Sequence, residues 1–167
     1  MKRASFVPRR YIPKTVSKKK DAATLHRELK KSRKLYKKGI YYTRKKVKSF
    51  KSQPSKHVIN ARKIYNIENI IPSPELSAKT GCSIEALEKI VNKGEGAYFS
   101  SGSRPNQTAH SWGYARLASA ITGGKASAVD YSILQSGCKK NSKALLLANK
   151  SVHLKKRGTR RVPKIKL

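Results

Sequence analysis

Residues 94–138 read GEGAYFSSGSRPNQTAHSWGYARLASAITGGKASAVDYSILQSGC. The stretch holds the only Trp, Trp112, seven of the ten Gly, and one Lys, Lys125. The sequence on both sides is crowded with Lys and Arg. A segment this poor in charge can bury a face, whereas segments that repel themselves bury little unaided. The fold is therefore expected to grow outward from here.

Charge sets the expected boundaries. Residues 57–137 carry 8 basic and 6 acidic residues, residues 1–56 carry 21 and 2, and residues 138–167 carry 11 and none, giving the net +32. A chain of 167 residues suits one domain. The expected architecture is mainly α: a small helical domain of about four to five short helices over 57–137. A basic N-terminal arm, 1–56, with an amphipathic helix near 21–38, and a basic C-terminal arm, 138–167, flank it as extended segments.

Periodicity and capping residues place the helices. Leu25, Leu29 and Tyr36 share one face of the first, Asp21 opens it and Gly39 ends it. Its basic surface suits a membrane, nucleic acid, a partner protein, or its own domain. Val58, Ala61, Ile64 and Tyr65 keep helical spacing. Ser73 caps a helix begun by Pro74 and ended by Gly81, and Ser83 caps the next, which Gly94 is expected to end. This pair resembles a helix-turn-helix. Its second helix presents Glu85 and Glu88 beside Lys89 and Lys93, and acidic residues repel phosphate, so two scaffold helices are the favoured reading. Residues 94–108 are expected as a loop, 109–122 as a helix, and 127–135 as a last helix with Val129, Ile133 and Leu134 buried. Ala144 to Ala148 is the one apolar run of the C-terminal arm, expected to dock as helix or strand.

The composition speaks for a polyanionic or acidic partner, nucleic acid first, because each neutralised phosphate releases a counterion. The residues expected to meet partners lie mostly in the arms. Phe6, Arg9, Arg10, Tyr11 and Ile12 open the chain; Lys30 and Arg33 lie on the first helix; Tyr41 and Tyr42 suit base stacking among cations. Arg104, Asn106 and Gln107 stand in the loop, where Ser100 to Arg104 can hold a phosphate or carboxylate. Trp112 and Arg116 follow on a helix of small residues, and Leu145, Leu146, Arg160 and Arg161 lie in the C-terminal arm.

No catalytic set is legible. The Gly123-Gly124-Lys125 run lacks the Gly and the Ser or Thr of a phosphate loop. His26, His57, His110 and His153 lie far apart with no ligand spacing, so no metal and no cofactor are expected. No paired carboxylates mark acid–base chemistry. The expectation is no enzyme and no small-molecule substrate. Cys82 and Cys138 form no framework of several bridges and are expected reduced, inside a cell, with a pair closing the module at its two ends as the less favoured reading. No run approaches a membrane span, and residues 1–20 lack the apolar core of a signal peptide.

The run GAYFSSGSRPNQTAHSWGYARLASAITGGKASAVDYSIL at 96–134, preceded by TGCSIEALEKIVNKG at 80–94, resembles a small domain of unknown function found in large nucleocytoplasmic DNA viruses, notably those of algae. The resemblance covers about residues 41–138. It rests on the Ser-Gly-Ser-Arg-Pro-Asn-Gln-Thr, Ser-Trp-Gly and Thr-Gly-Gly-Lys segments, which follow in order at tight spacing. It implies a viral source and a late, virion-associated protein, and no biochemical role. The expectation that follows is a minor capsid protein of a large icosahedral double-stranded DNA virus, located in the virion. Its basic arms would tether major and other minor capsid proteins, with an anionic internal membrane surface or viral DNA as further partners. The alternative expectation is a nucleic-acid-binding protein, either DNA-condensing or like an RNA-binding ribosomal protein.

Overall fold

Two compact groupings of the chain emerge in the structure, a computed structural model that describes residues 4–155 and 162–167. The protein is mainly helical, with eight helices and one two-stranded pairing among the described residues. Among the described residues its first unit takes in 4–53, 95–109 and 162–167, and its second takes in 54–94 and 110–155. Segments 1–56, 57–137 and 138–167, expected from charge, are therefore not the division that the contacts make.

The first unit is built around α1 (Lys19–Tyr36). The helix begins two residues ahead of Asp21, which lies in its first turn. Leu25, Glu28, Leu29 and Ser32 form its buried face, so the stripe is part apolar and part polar. Gly39 closes it with φ 74°. The Gly39 N–H donates to the Tyr36 carbonyl and the Ile40 N–H to that of Leu35, the paired bonds of a Schellman cap. Residues 40–53 then run without regular structure, yet Arg44 and Val47 are buried, so this segment is a strap within the unit and not a free arm. The chain ends are extended: β1 (Phe6–Pro8) pairs antiparallel with β2 (Lys164–Lys166).

The second unit contains α2 (Lys56–Tyr65), α3 (Pro74–Thr80), the first part of α4 (Ile84–Ser100), α5 (Ala109–Ile121), α6 (Lys125–Val129), α7 (Tyr131–Gly137) and α8 (Lys143–Lys155). Leu76, Leu87, Ile90, Leu117, Ile121 and Leu134 are fully buried at its centre. Ser73 caps α3 by accepting from the Leu76 N–H at 3.1 Å, as the Ser-Pro pair predicts.

Four expectations change here. Gly94 does not end α4, which continues to Ser100. A Cβ built on Gly94 would stand 2.6 Å from the Gly113 Cα, so the glycine is there for close helix approach. The expected last helix is two, α6 and α7, broken at Asp130. Leu134 is buried and Ile133 half-buried, but Val129 is 52% exposed. The apolar run Ala144 to Ala148 is helical, one of the two forms expected, but it lies in α8 with Ala144, Leu145 and Ala148 in the unit's own core and not in a free arm. Finally, Cys82 and Cys138 form a disulfide. An antiparallel bridge holds them 3.9 Å apart at Cα, flanked by bonds from Ser83 N–H to the Gly137 carbonyl and from Lys139 N–H to that of Gly81. No described helix is long and apolar enough to cross a membrane.

Candidate nucleic-acid interface

The first unit collects the positive charge. Among the described residues it holds 21 Lys and Arg against three acids, and the second unit holds 13 against five. Helical geometry decides where that charge points. At 3.6 residues per turn, Lys20, Arg27, Lys31 and Lys34 fall within a narrow sector of α1, on the side away from Leu25 and Leu29. All four are exposed. They make a cationic ridge about 21 Å long from Lys20 to Lys34.

Two of the unit's three acids bond backbone N–H groups of the strap, Glu28 buried and Asp21 half-buried. The Glu28 carboxylate accepts from the Lys45 N–H at 2.9 Å and from the Tyr42 hydroxyl at 2.8 Å. Burial alone would raise its pKa; these two bonds, with Lys31 and Lys45 nearby, lower it below the ordinary value. The bond to Glu28 in turn raises the Tyr42 pKa. Asp21 accepts from the Ser49 N–H at 2.9 Å. Carboxylates so placed order the strap and leave the cations facing outward.

A buried cation fixes the strap. The Arg44 guanidinium donates to the Ser32 hydroxyl at 3.0 Å, the Tyr98 carbonyl at 2.6 Å and the Ser103 hydroxyl at 2.7 Å. It lies 3.8 Å above the Tyr98 ring, and burial lowers its pKa. The rigid fork of Arg suits three fixed acceptors, which a Lys ammonium would not match. Asn106, with φ 62°, clamps the same strap: its side chain accepts from the Val47 N–H and donates to the Val47 and Phe50 carbonyls. The loop from residue 101 to 108 is thus a clasp on the chain's own backbone, and the hydroxyl of Ser103 is already engaged within it. A cavity of about 10 Å³ beside it, lined in part by Tyr11, Arg44, Ser103 and Asn106, holds no more than a water.

The partner residues expected from sequence are dispersed by the structure. Phe6 is 53% exposed, and Arg10, Lys30, Tyr41 and Arg104 are exposed. Tyr11 and Ile12 are buried in the first unit, and Arg9 is half-buried there. Arg33 bonds the Ser101 carbonyl and the Ser5 hydroxyl. Tyr42 and Asn106 have the internal partners named above, and Gln107 is half-buried. In the second unit Trp112 is half-buried, Leu145 is core and Leu146 is 54% exposed. Arg116 grips Asp130 with two bonds of 2.8 Å, and Lys93 reaches the same carboxylate at 2.9 Å. Burial opposes ionisation of Asp130, and these two cations overcome it, lowering its pKa. Arg160 and Arg161 lie outside the described residues.

The missed residues are Glu28, Arg44, Gly113 and Asp130. Glu28 carried a signal: one of two acids among 21 bases, it falls on the same helical stripe as Leu25, Leu29 and Ser32. Arg44 carried none, being one cation in a cationic run.

Fold and surface together describe a basic helical protein of two units, with its cations outward on one of them. The chain belongs to a family of unknown function (DUF5824), matched over residues 8–142. The match begins ahead of α1, so the family includes most of the segment that charge alone marks as an arm. No curated protein and no solved structure matches the chain.

Proposed function

We propose that the protein is a non-enzymatic structural component of the particle of a large icosahedral double-stranded DNA virus, and that it acts there by binding polyanion, viral nucleic acid first. The observation that carries this reading is the arrangement of charge in the first unit. Four exposed cations line one side of α1, while Asp21 and Glu28 bond backbone N–H groups of the strap. The viral source and the virion location rest on the sequence resemblance. The test is salt dependence. Full-length protein is titrated with a 30-nucleotide single strand and with a duplex. Four released counterions on the single strand correspond to a roughly 50-fold loss of affinity between about 50 and 200 mM salt. A flat salt response overturns the reading.

A second reading, the capsid tether, keeps one supporting observation: Phe6 and Leu146 remain more than half exposed, as anchors for neighbouring proteins would be. It lost others, since Tyr11, Ile12 and Leu145 are buried within their own units. Cross-linking mass spectrometry on purified particles separates the two. Abundant links from Lys37, Lys38, Lys139 and Lys140 into capsid proteins favour the tether; Lys37 and Lys38 of the first unit shielded by nucleic acid, with few protein links from any of the four, favour polyanion binding.

A further inference from the structure

The ring cluster at the C-terminal end of α1 is not explained by charge. Tyr36 ends the helix, the Schellman turn at Gly39 reverses the chain, and Tyr41 comes back against it, ring centroids 6.1 Å apart. Phe99 completes the group, 6.4 Å from Tyr36 and nearly parallel to it, and 5.2 Å from Tyr41. Phe99 rests edge-on against Tyr98, which is fully buried, so the cluster has a rigid floor. Tyr36 and Phe99 are half-buried, but Tyr41 is 71% exposed and its neighbour Ile40 49%. A cluster that served only to pin the strap would turn its outer ring inward. This one presents it to solvent.

Cations surround it. Lys37 and Lys38 occupy the turn between Tyr36 and Tyr41, both exposed, and Lys34 lies one turn earlier on the ridge. Aromatic faces beside exposed cations fit one ligand chemistry: flat bases strung on phosphates. A duplex hides its base faces in the stack, so the fit is to a single strand.

We propose that Tyr36, Tyr41 and Phe99 form a stacking platform for unpaired bases of single-stranded nucleic acid, with Lys34, Lys37 and Lys38 receiving the adjoining phosphates. The proposal rests on the polyanion reading and names its ligand. Tyr41 is the ring that a base would cover.

The experiment compares three probes, a 20-nucleotide oligothymidylate, a duplex of the same length, and polyglutamate, against wild type and Tyr41→Ala. Stacking on one ring corresponds to about 10-fold in affinity. Tyr41→Ala is expected to lose that for the single strand alone, with its salt slope unchanged and duplex and polyglutamate binding intact. Tyr41→Trp is expected to restore the affinity, and Tyr41→Leu, which keeps apolar bulk without a ring, to lose it. If Tyr41→Ala does not fold, the Leu and Trp pair carries the same comparison. Equal losses for all three probes, or no loss for the single strand, overturn the platform while leaving steep salt dependence in place. Absence of any nucleic-acid binding overturns the polyanion reading and the platform with it.

Discussion

The two units reach a stable interior by opposite routes. In the first, a guanidinium and a carboxylate are buried: Arg44 bonds two hydroxyls and a carbonyl, and Glu28 bonds a backbone N–H and a phenol. In the second, the centre is Leu, Ile and Ala, closed by a disulfide, with one buried carboxylate, Asp130, gripped by Arg116 and Lys93. The first unit has few apolar side chains to bury because its sequence is so heavily cationic. It uses specific polar bonds where the second uses area. The lesson is that a segment too charged to look foldable can fold when one of its few acids and one of its cations turn inward.

The comparison can be broken first at its polar centre. Arg44→Ala leaves three buried acceptors without a donor and is expected to destabilise the first unit by about 4 kcal/mol. Amide hydrogen exchange is the readout: protection in α1 and residues 40–50 falls while α3 and α7 keep theirs. Uniform loss would mean that the two interiors are not separate. In the second unit, reducing the disulfide, which closes a 56-residue separation, is expected to remove about 3–4 kcal/mol. Denaturant melts with and without reductant measure it, and coincident midpoints would contradict the staple.

Two glycines on one helix sharpen the comparison further. Gly94→Ala puts its methyl 2.6 Å from the Gly113 backbone and is expected to cost about 1–3 kcal/mol. Gly96→Ala meets nothing within 4 Å and is expected to stabilise by about 0.5–1 kcal/mol. Thermal melts of the pair with opposite signs support the assigned packing.

The smallest effect is in the acid limb. Glu28 and Asp130 both have pKa values below their ordinary 4.5 and 3.8. Their stabilisation is therefore full above those values and is lost as the pH falls through the lowered, folded-state ones. Glu28→Gln is expected to flatten this acid loss in the first unit, and Asp130→Asn in the second, each followed by exchange at acidic pH. A slope unchanged by either substitution removes that carboxylate from the account.

Much of the second unit was legible. Ser73-Pro74, Gly81 and Ser83 announce α3 and the start of α4 by capping chemistry, and Leu76, Leu87 and Ile90 announce their buried sides by spacing. What misled was glycine. Gly94 looks like a terminator because single sequences do not reveal which glycines face another backbone. The first unit was less legible because its order comes from contacts between residues far apart, Arg44 with Ser103 and Asn106 with Val47, that leave no periodic trace. Of the residues expected to meet partners, Tyr41 and Lys30 are exposed, whereas Tyr11, Ile12 and Leu145 are buried. Phe99 meets Tyr36 and Tyr41 because α4 runs on to Ser100, where the sequence suggests a loop from Gly94.

The most direct test of the division of labour is lysine footprinting by acetylation and mass spectrometry on the full chain, with and without a single-stranded oligonucleotide. The account predicts protection at Lys20, Lys31, Lys34, Lys37 and Lys38 of the first unit, and little at Lys79, Lys89, Lys139, Lys140 and Lys143 of the second. Equal protection of both sets, or protection of the second set alone, would contradict it.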